Sequence, residues 1–302
     1  MALAPPEPDV VEATIALLPG DPSPPPHRTG HTAVRLGTEM IVFGGMSAGE
    51  CTADAIAIQL HEAHGWCTLV DPGPSRPSPR LGHAACAVET AGQMWVFGGG
   101  DGRVLLQDVW TVERAAGDGC TWTQQSCAGL RPASRMGHSL AYSQSLHALL
   151  SFGGFVKGVK GGYSAQLLCL DLATLSWTQP ELLARVPDEP PLRGRLGAAA
   201  CVLGAGEAVL FLGGSAYGEL LDEVLYLEAS RQLPMSLRRL SVGSGSSCAR
   251  PHPRAHGVAL SMPPYVLHLG GCASTSDAPM DVLCCASPEP HASRWEWCAS
   301  PQ

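Results

Sequence analysis

The sequence predicts an all-β protein assembled from repeated four-stranded units, and three observations carry that expectation. First, two adjacent glycines close an apolar run five times: Ile41-Val-Phe-Gly44-Gly45, Trp95-Val-Phe-Gly98-Gly99, Leu150-Ser-Phe-Gly153-Gly154, Leu210-Phe-Leu-Gly213-Gly214 and Leu267-His-Leu-Gly270-Gly271. The first glycines are 54, 55, 60 and 57 residues apart, and a fixed period of about 50 residues marks stacked supersecondary units. Second, a basic tag opens each unit: Arg28-Thr-Gly-His31, Arg80-Leu-Gly-His83, Arg135-Met-Gly-His138, Arg195-Leu-Gly-Ala198 and the rearranged Arg254-Ala-His-Gly257. Third, every unit holds four short apolar runs between turn residues and no convincing helical segment. Four-stranded sheets repeated at this length pack radially into a propeller, which leaves only short, protected edges.

Within a unit the first strand follows the tag, as in Thr32-Ala-Val-Arg or Ala84-Ala-Cys-Ala-Val. A polar or glycine-bearing turn leads to the second strand, which ends at the glycine pair. The tag arginine precedes the first glycine by 16, 18, 18, 18 and 16 residues, so the hairpin has a nearly constant size. A loop then leads to the third runs: Ala55–Ile58, Asp108–Val112, Leu167–Leu170, Glu223–Leu227 and Asp281–Cys285. The fourth run carries Trp66, Trp122, Trp177, and Trp295 with Trp297; in the fourth unit Leu237–Leu240 stands there instead. A glycine pair without Cβ atoms permits positive φ and close approach of neighbouring backbone. Tryptophan is large enough to fill the wedge between blades.

These units make one domain over residues 1–302: repeats at 28–79, 80–134, 135–194, 195–253 and 254–302, preceded by residues 1–27. Ala13–Leu18 reads as an extra N-terminal strand with a Pro-rich link behind it, either opening a further blade or pairing with the last sheet. Net charge is −8, and Lys157 and Lys160 are the only lysines, which disfavours nucleic-acid binding by clustered cations. The N-terminus lacks the pattern of a secretory signal, and no apolar stretch is long enough to span a bilayer. The expected location is cytoplasmic or nuclear, with the 12 cysteines read as reduced thiols. Cys86 and Cys201 stand six residues after their tag arginine, where other repeats have Val34, Ala141 and Leu260, so they read as core filler.

The tag, the glycine pair, the third-strand run and the fourth-strand tryptophan, in that order, resemble the kelch repeat. The resemblance covers residue 28 to the end and implies a kelch-type propeller of five recognisable repeats plus the extra strand. The fourth repeat departs from it, with Ala198 in place of the histidine and no tryptophan, and the fifth has its tag scrambled. Members of the family commonly close with six or seven blades. They often serve as receptors for ubiquitin ligases or as regulators of small GTPases and the cytoskeleton. Some kelch-like proteins are copper oxidases, sugar mutarotases or iron-using specifier proteins.

His31, His83 and His138 recur at one blade position, so rotation about the ring is expected to hold them far apart unless they point to the axis. A structural role is expected rather than a shared metal ion. Arg28, Arg80, Arg135, Arg195 and Arg254 are expected to bond backbone carbonyls near the blade root. The iron pattern is approached at Glu50 and Asp54 but ends on Ile58, and no P-loop or Cys-x-x-Cys is present. No catalytic residue, metal or cofactor is expected. Function is instead expected in the divergent loops after the glycine pairs. The third of these is the longest and holds Lys157, Lys160 and Tyr163; with Arg103 and Tyr217 it suggests a basic, aromatic patch for an acidic peptide segment. The leading expectation is a non-catalytic module that binds a partner protein, as adaptor or substrate receptor. The alternatives are a propeller enzyme, metal-dependent or isomerase-like, with a site at the central channel, and a structural subunit of a larger assembly.

Overall fold

A computed structural model of the chain describes residues 26–60, 66–71, 73, 75–159, 161–183, 190–231, 234–240, 252–263, 265–273, 281–285 and 295–298. Lys160 and the Ala13–Leu18 strand lie outside them, as do the side chains of Trp66, Trp295 and Trp297. The described chain is β throughout, apart from one turn of 3₁₀ helix at Glu89–Ala91. The blade strands number twenty, four to each of five antiparallel sheets. Blade 1 holds β1 (Thr32–Leu36), β2 (Glu39–Phe43), β3 (Ala55–Gln59) and β4 (Trp66–Thr68); blade 2 holds β5 (Ala84–Val88), β6 (Gln93–Phe97), β7 (Val109–Arg114) and β8 (Cys120–Gln125). Blade 3 holds β9 (Ser139–Ser143), β10 (Ala148–Phe152), β11 (Leu167–Asp171) and β12 (Ser176–Thr178). Blade 4 holds β13 (Ala199–Leu203), β14 (Ala208–Leu212), β15 (Val224–Glu228) and β16 (Ser236–Arg239). Blade 5 holds β17 (Val258–Met262), β18 (Tyr265–Leu269), β19 (Asp281–Cys285) and β20 (Trp295–Cys298).

Neighbouring strands in each sheet are consecutive in sequence, so every blade is a meander. Period-2 alternation then buries both faces of the middle strands. On β6, Met94 and Val96 pack toward blade 1 with Ile41, Phe43 and Ala57, while Trp95 and Phe97 pack toward blade 3 with Leu149, Leu168 and Trp177. Two further clusters fill the next junctions, with Phe152 and Leu150 on Phe211 and Leu225 between blades 3 and 4, and Leu210 and Tyr226 on Val266 between blades 4 and 5. Each such side chain contributes about 1.5–3 kcal/mol on burial, and the core therefore lies between blades rather than within one.

The fourth-strand tryptophan completes two of these junctions: the Trp122 ring lies 4.6 Å from Phe43, and the Trp177 ring 4.8 Å from Phe97. Blade 4 carries Leu237 in that place, and Phe152 meets Phe211 at 4.8 Å instead. Outside the blades, the links run along the next rim: Ala128–Gly129 pairs in parallel with Ser176–Trp177, and single parallel bridges join Val70 to Gly119 and Leu182 to Met235.

First strands pack in series, β1 on β5, β5 on β9, β9 on β13 and β13 on β17, and among the described residues β17 makes no such packing with β1. Val258 and Leu260 on β17 are accordingly 57% and 45% exposed, whereas Ala84 and Cys86 at the same positions of blade 2 are covered by blade 3.

Candidate functional site

The tag arginines build the blade roots. All five donate from Nη1 to the carbonyl of their own blade's first paired glycine: Arg28 to Gly44 at 3.2 Å, Arg80 to Gly98, Arg135 to Gly153 and Arg195 to Gly213 at 3.1 Å, and Arg254 to Gly270 at 3.0 Å. Arg80 also forks onto Asp108 at 2.8 and 2.9 Å and gives its remaining hydrogens to Ser78, so the buried charge is fully satisfied. Glu223 supplies a carboxylate oxygen to Nη2 of Arg195. Arg135 has only neutral Gln166, and burial pulls its pKa down to about 10.

The glycine pairs form the joints. The amide of each second glycine donates to the carbonyl of the next blade's tag arginine: Gly45 to Arg80, Gly99 to Arg135, Gly154 to Arg195 and Gly214 to Arg254, all at 2.8 Å. The first glycine sits against that same carbonyl; a Cβ on Gly153, where φ is +76°, would meet the Arg195 oxygen at 2.6 Å. A second line of bonds runs from tag to tag, Gly82 to Gly30, Gly137 to Gly82, Gly197 to Gly137 and His256 to Gly197. This line explains the scrambled fifth tag. His256 takes the glycine position with φ of +61°, and at Gly257 the vacated histidine space abuts Nε2 of His268.

The tag histidines plug the junctions. His83 meets the edge of Phe43 at 5.1 Å and Thr32 Oγ1 at 2.8 Å; His138 meets Phe97 at 4.8 Å. Burial, then the Arg80 charge, lowers the His83 pKa to about 3, and burial with Arg135 holds His138 well below its usual value. His31 adds to the suppression of His83, and His83 to that of His138, because the tags sit on the innermost strands where the radius is small. Each still faces its own junction, and among the described residues no group of three His, Cys, Asp or Glu side chains converges as a ligand set.

The loops that follow the glycine pairs are pinned at both ends. The returning residue donates to the second glycine's carbonyl, Thr52 to Gly45, Leu106 to Gly99, Ser164 to Gly154 and Leu221 to Gly214. Between these pins the loops diverge. The first and fourth are β-hairpins whose tips, Ala48-Gly49 and Tyr217-Gly218, both take positive φ. Tyr217 at φ of +52° is a bulky residue in a backbone state that costs about 1–2 kcal/mol, and it stands 62% exposed. In the third loop Gly161 lies against the Tyr217 ring and Gly162 against Phe155, contacts that leave no room for a Cβ.

Of the expected partner residues, the structure brings Arg103 and Lys157 to one groove of about 630 Å³ between the second and third loops. Tyr163 and Tyr217 are separate from it, in tilted contact with ring centroids 5.0 Å apart between the third and fourth loops, and Phe155 touches both groups, with its ring 6.5 Å from Tyr163. Sequence reasoning missed the groove's apolar walls, Leu81, Val104, Leu105, Met136 and Phe155. Val104, Leu105 and Phe155 are single apolar residues in loops with no periodicity to expose them, while Leu81 and Met136 stand at the variable second place of the tag. Only Phe155, directly behind a glycine pair, was in plain view.

A family model described as the KLHDC2/KLHL20/DRC7 Kelch-repeats domain matches residues 9–114. Adagio protein 3 of Arabidopsis thaliana is 31% identical over 73% of this chain and 35% of its own length. Rab9 effector protein with kelch motifs from Rattus norvegicus is 27% identical over 62% of this chain and 46% of its own, and dynein regulatory complex subunit 7 of Chlamydomonas reinhardtii is 32% identical over 36% and 9%. The chain belongs to the kelch-repeat family. It spans about a third or less of the first three curated relatives it matches. In this kelch propeller, the Arg, Gly and Gly-Gly positions are backbone joints between blades, which leaves the pinned loops as the variable surface.

Proposed function

We propose that this kelch propeller is a non-catalytic docking module whose post-glycine loops grip a partner protein, as an adaptor or substrate receptor in the cytoplasm or nucleus. One observation carries the reading: four successive loops each present an exposed apolar side chain, Met46, Val104, Phe155 and Tyr217, at 41%, 57%, 38% and 62% exposure. A row of apolar side chains rimmed by polar residues marks an interaction surface, and aromatic residues supply the anchors of such surfaces. The strain held at Tyr217 supports it, because a backbone kept at positive φ there holds a large aromatic ring at the solvent-exposed tip, beside Tyr163. Relatives named as a Rab9 effector and as a dynein regulatory complex subunit are consistent with a module that works by association.

Affinity capture from native cells tests the reading, with wild type set against a Met46→Asp, Tyr217→Ala double variant. A partner retained by wild type and lost by the variant is the expected result. Retention of every partner by both forms would sink the proposal, and stoichiometric metal in the natively purified protein would favour the enzymatic alternative.

A further inference from the structure

The groove between the second and third loops has a charge and shape that define its occupant more narrowly than the docking surface as a whole. Arg103 and Lys157 both line it, and among the described residues neither is held in an ion pair. Several other cations among the described residues are spoken for. The tag arginines Arg80, Arg135, Arg195 and Arg254 are buried on carbonyls, Arg114 is paired with Glu39, and Arg193 and Arg239 are paired with Glu219 and Glu223. Two cations outside any ion pair, with Asp101 as the near counter-charge to Arg103, give the groove a basic lining on a protein of net charge −8. The same groove is lined by Val104, Leu105, Met136 and Phe155, and the volume is within the range of specific ligand sites.

We infer that this groove takes a short extended segment of another protein that carries carboxylates on either side of one apolar side chain; the inference rests on the docking reading above. Arg103 offers a planar fork suited to a carboxylate and Lys157 a compact point charge, while the apolar walls receive the central side chain. An acid beside Arg103, Asp101, is occupied by its own turn, because its Oδ1 accepts the backbone N–H groups of Arg103 and Val104 at 2.8 Å. Its remaining charge opposes an anionic guest, which gives the electrostatics a testable sign.

The experiment titrates the full chain against fluorescein-labelled peptides: Gly-Glu-Asp-Leu-Glu-Gly, its Gln/Asn counterpart, and a version with Ser in place of Leu. The acidic, leucine-bearing peptide is expected to bind about tenfold or more tighter than either control, with the preference eroded by salt. Arg103→Glu and Lys157→Glu should each weaken it about tenfold, and Asp101→Asn should tighten it a few-fold, all with unchanged thermal unfolding since these side chains stand on exposed loops. Equal binding of the amide peptide, indifference to both charge reversals, or equal competition by single-stranded RNA would overturn the inference. If the peptide arm fails while Met46→Asp with Tyr217→Ala still releases a captured partner, this groove assignment falls and the docking reading stands.

Discussion

Replacing Gly153 by alanine tests whether the glycine pair is a joint between blades or merely a turn. Two penalties apply at this position. Its φ of +76° imposes a left-handed cost of about 1–2 kcal/mol on any L residue. In addition the new Cβ would stand 2.6 Å from the Arg195 carbonyl oxygen, and that oxygen belongs to backbone pinned by the 2.8 Å bond from Gly154. Relief requires blade 4 to move away and stretch that bond. Loss of the bond costs about 1 kcal/mol, rising to about 3 if the carbonyl is left dry. The total is about 2–5 kcal/mol. Gly37→Ala is the internal control: φ is +60°, yet nothing lies within 4 Å of the added carbon, so only the backbone cost of about 1–2 kcal/mol applies. Urea denaturation followed by tryptophan fluorescence measures both. The reasoning predicts Gly153→Ala to be more destabilised than Gly37→Ala by at least about 1 kcal/mol. Equal losses would show that the glycine pair serves its own turn and that the blades are held together by side chains alone.

Acid should loosen the same junctions. His83 and His138 have folded pKa values below that of the unfolded chain, chiefly through burial, so the unfolded state binds more protons. Stability is therefore at its full value above about pH 6.5 and declines as pH falls from there toward about 3, by up to about 1.4 kcal/mol per pH unit for each histidine; a His138→Phe variant whose stability falls as steeply between pH 6 and 4 would refute this. At blade 3, Gln166→Glu should supply the carboxylate that Asp108 and Glu223 provide to Arg80 and Arg195. The expected gain is on the order of 1 kcal/mol at neutral pH, seen as a higher urea midpoint, and it is set against loss of the Gln166 bond to Gln179. No gain would mean that the buried guanidinium needs no counter-charge.

The fold was legible because the features that close a propeller repeat and those that carry function do not. Arg-x-Gly-His and Gly-Gly recur since every blade must meet its neighbour through the same backbone contacts, and strand limits followed from apolar runs between turn residues. Even the irregular fifth tag obeys the backbone, with His256 accepting the positive φ that glycine holds elsewhere. The candidate site was legible only in part. Arg103, Lys157, Tyr163 and Tyr217 stood out by composition, but nothing in their spacing told that the first two share a groove and the last two a tilted ring contact. That division depends on how Gly161 and Gly162 lay the third loop across Tyr217 and Phe155, a matter of packing between residues of different repeats.

The pins at the two ends of each loop explain how such divergence is tolerated. The first, second and fourth loops close between residues 45 and 52, 99 and 106, and 214 and 221, while the third closes between 154 and 164. The third loop is longer, yet its closing residue still bonds both ways: Ser164 donates to Gly154, and its carbonyl accepts from Arg195 just as Leu106 accepts from Arg135. Extra length in a flexible loop adds little closure entropy, and here it leaves the flanking bonds untouched. The blade therefore does not register what the loop contains. Selection for a new partner can act on Phe155 or Lys157 without a stability cost at the joints, whereas any change at Gly154 or Arg195 is paid in two blades at once.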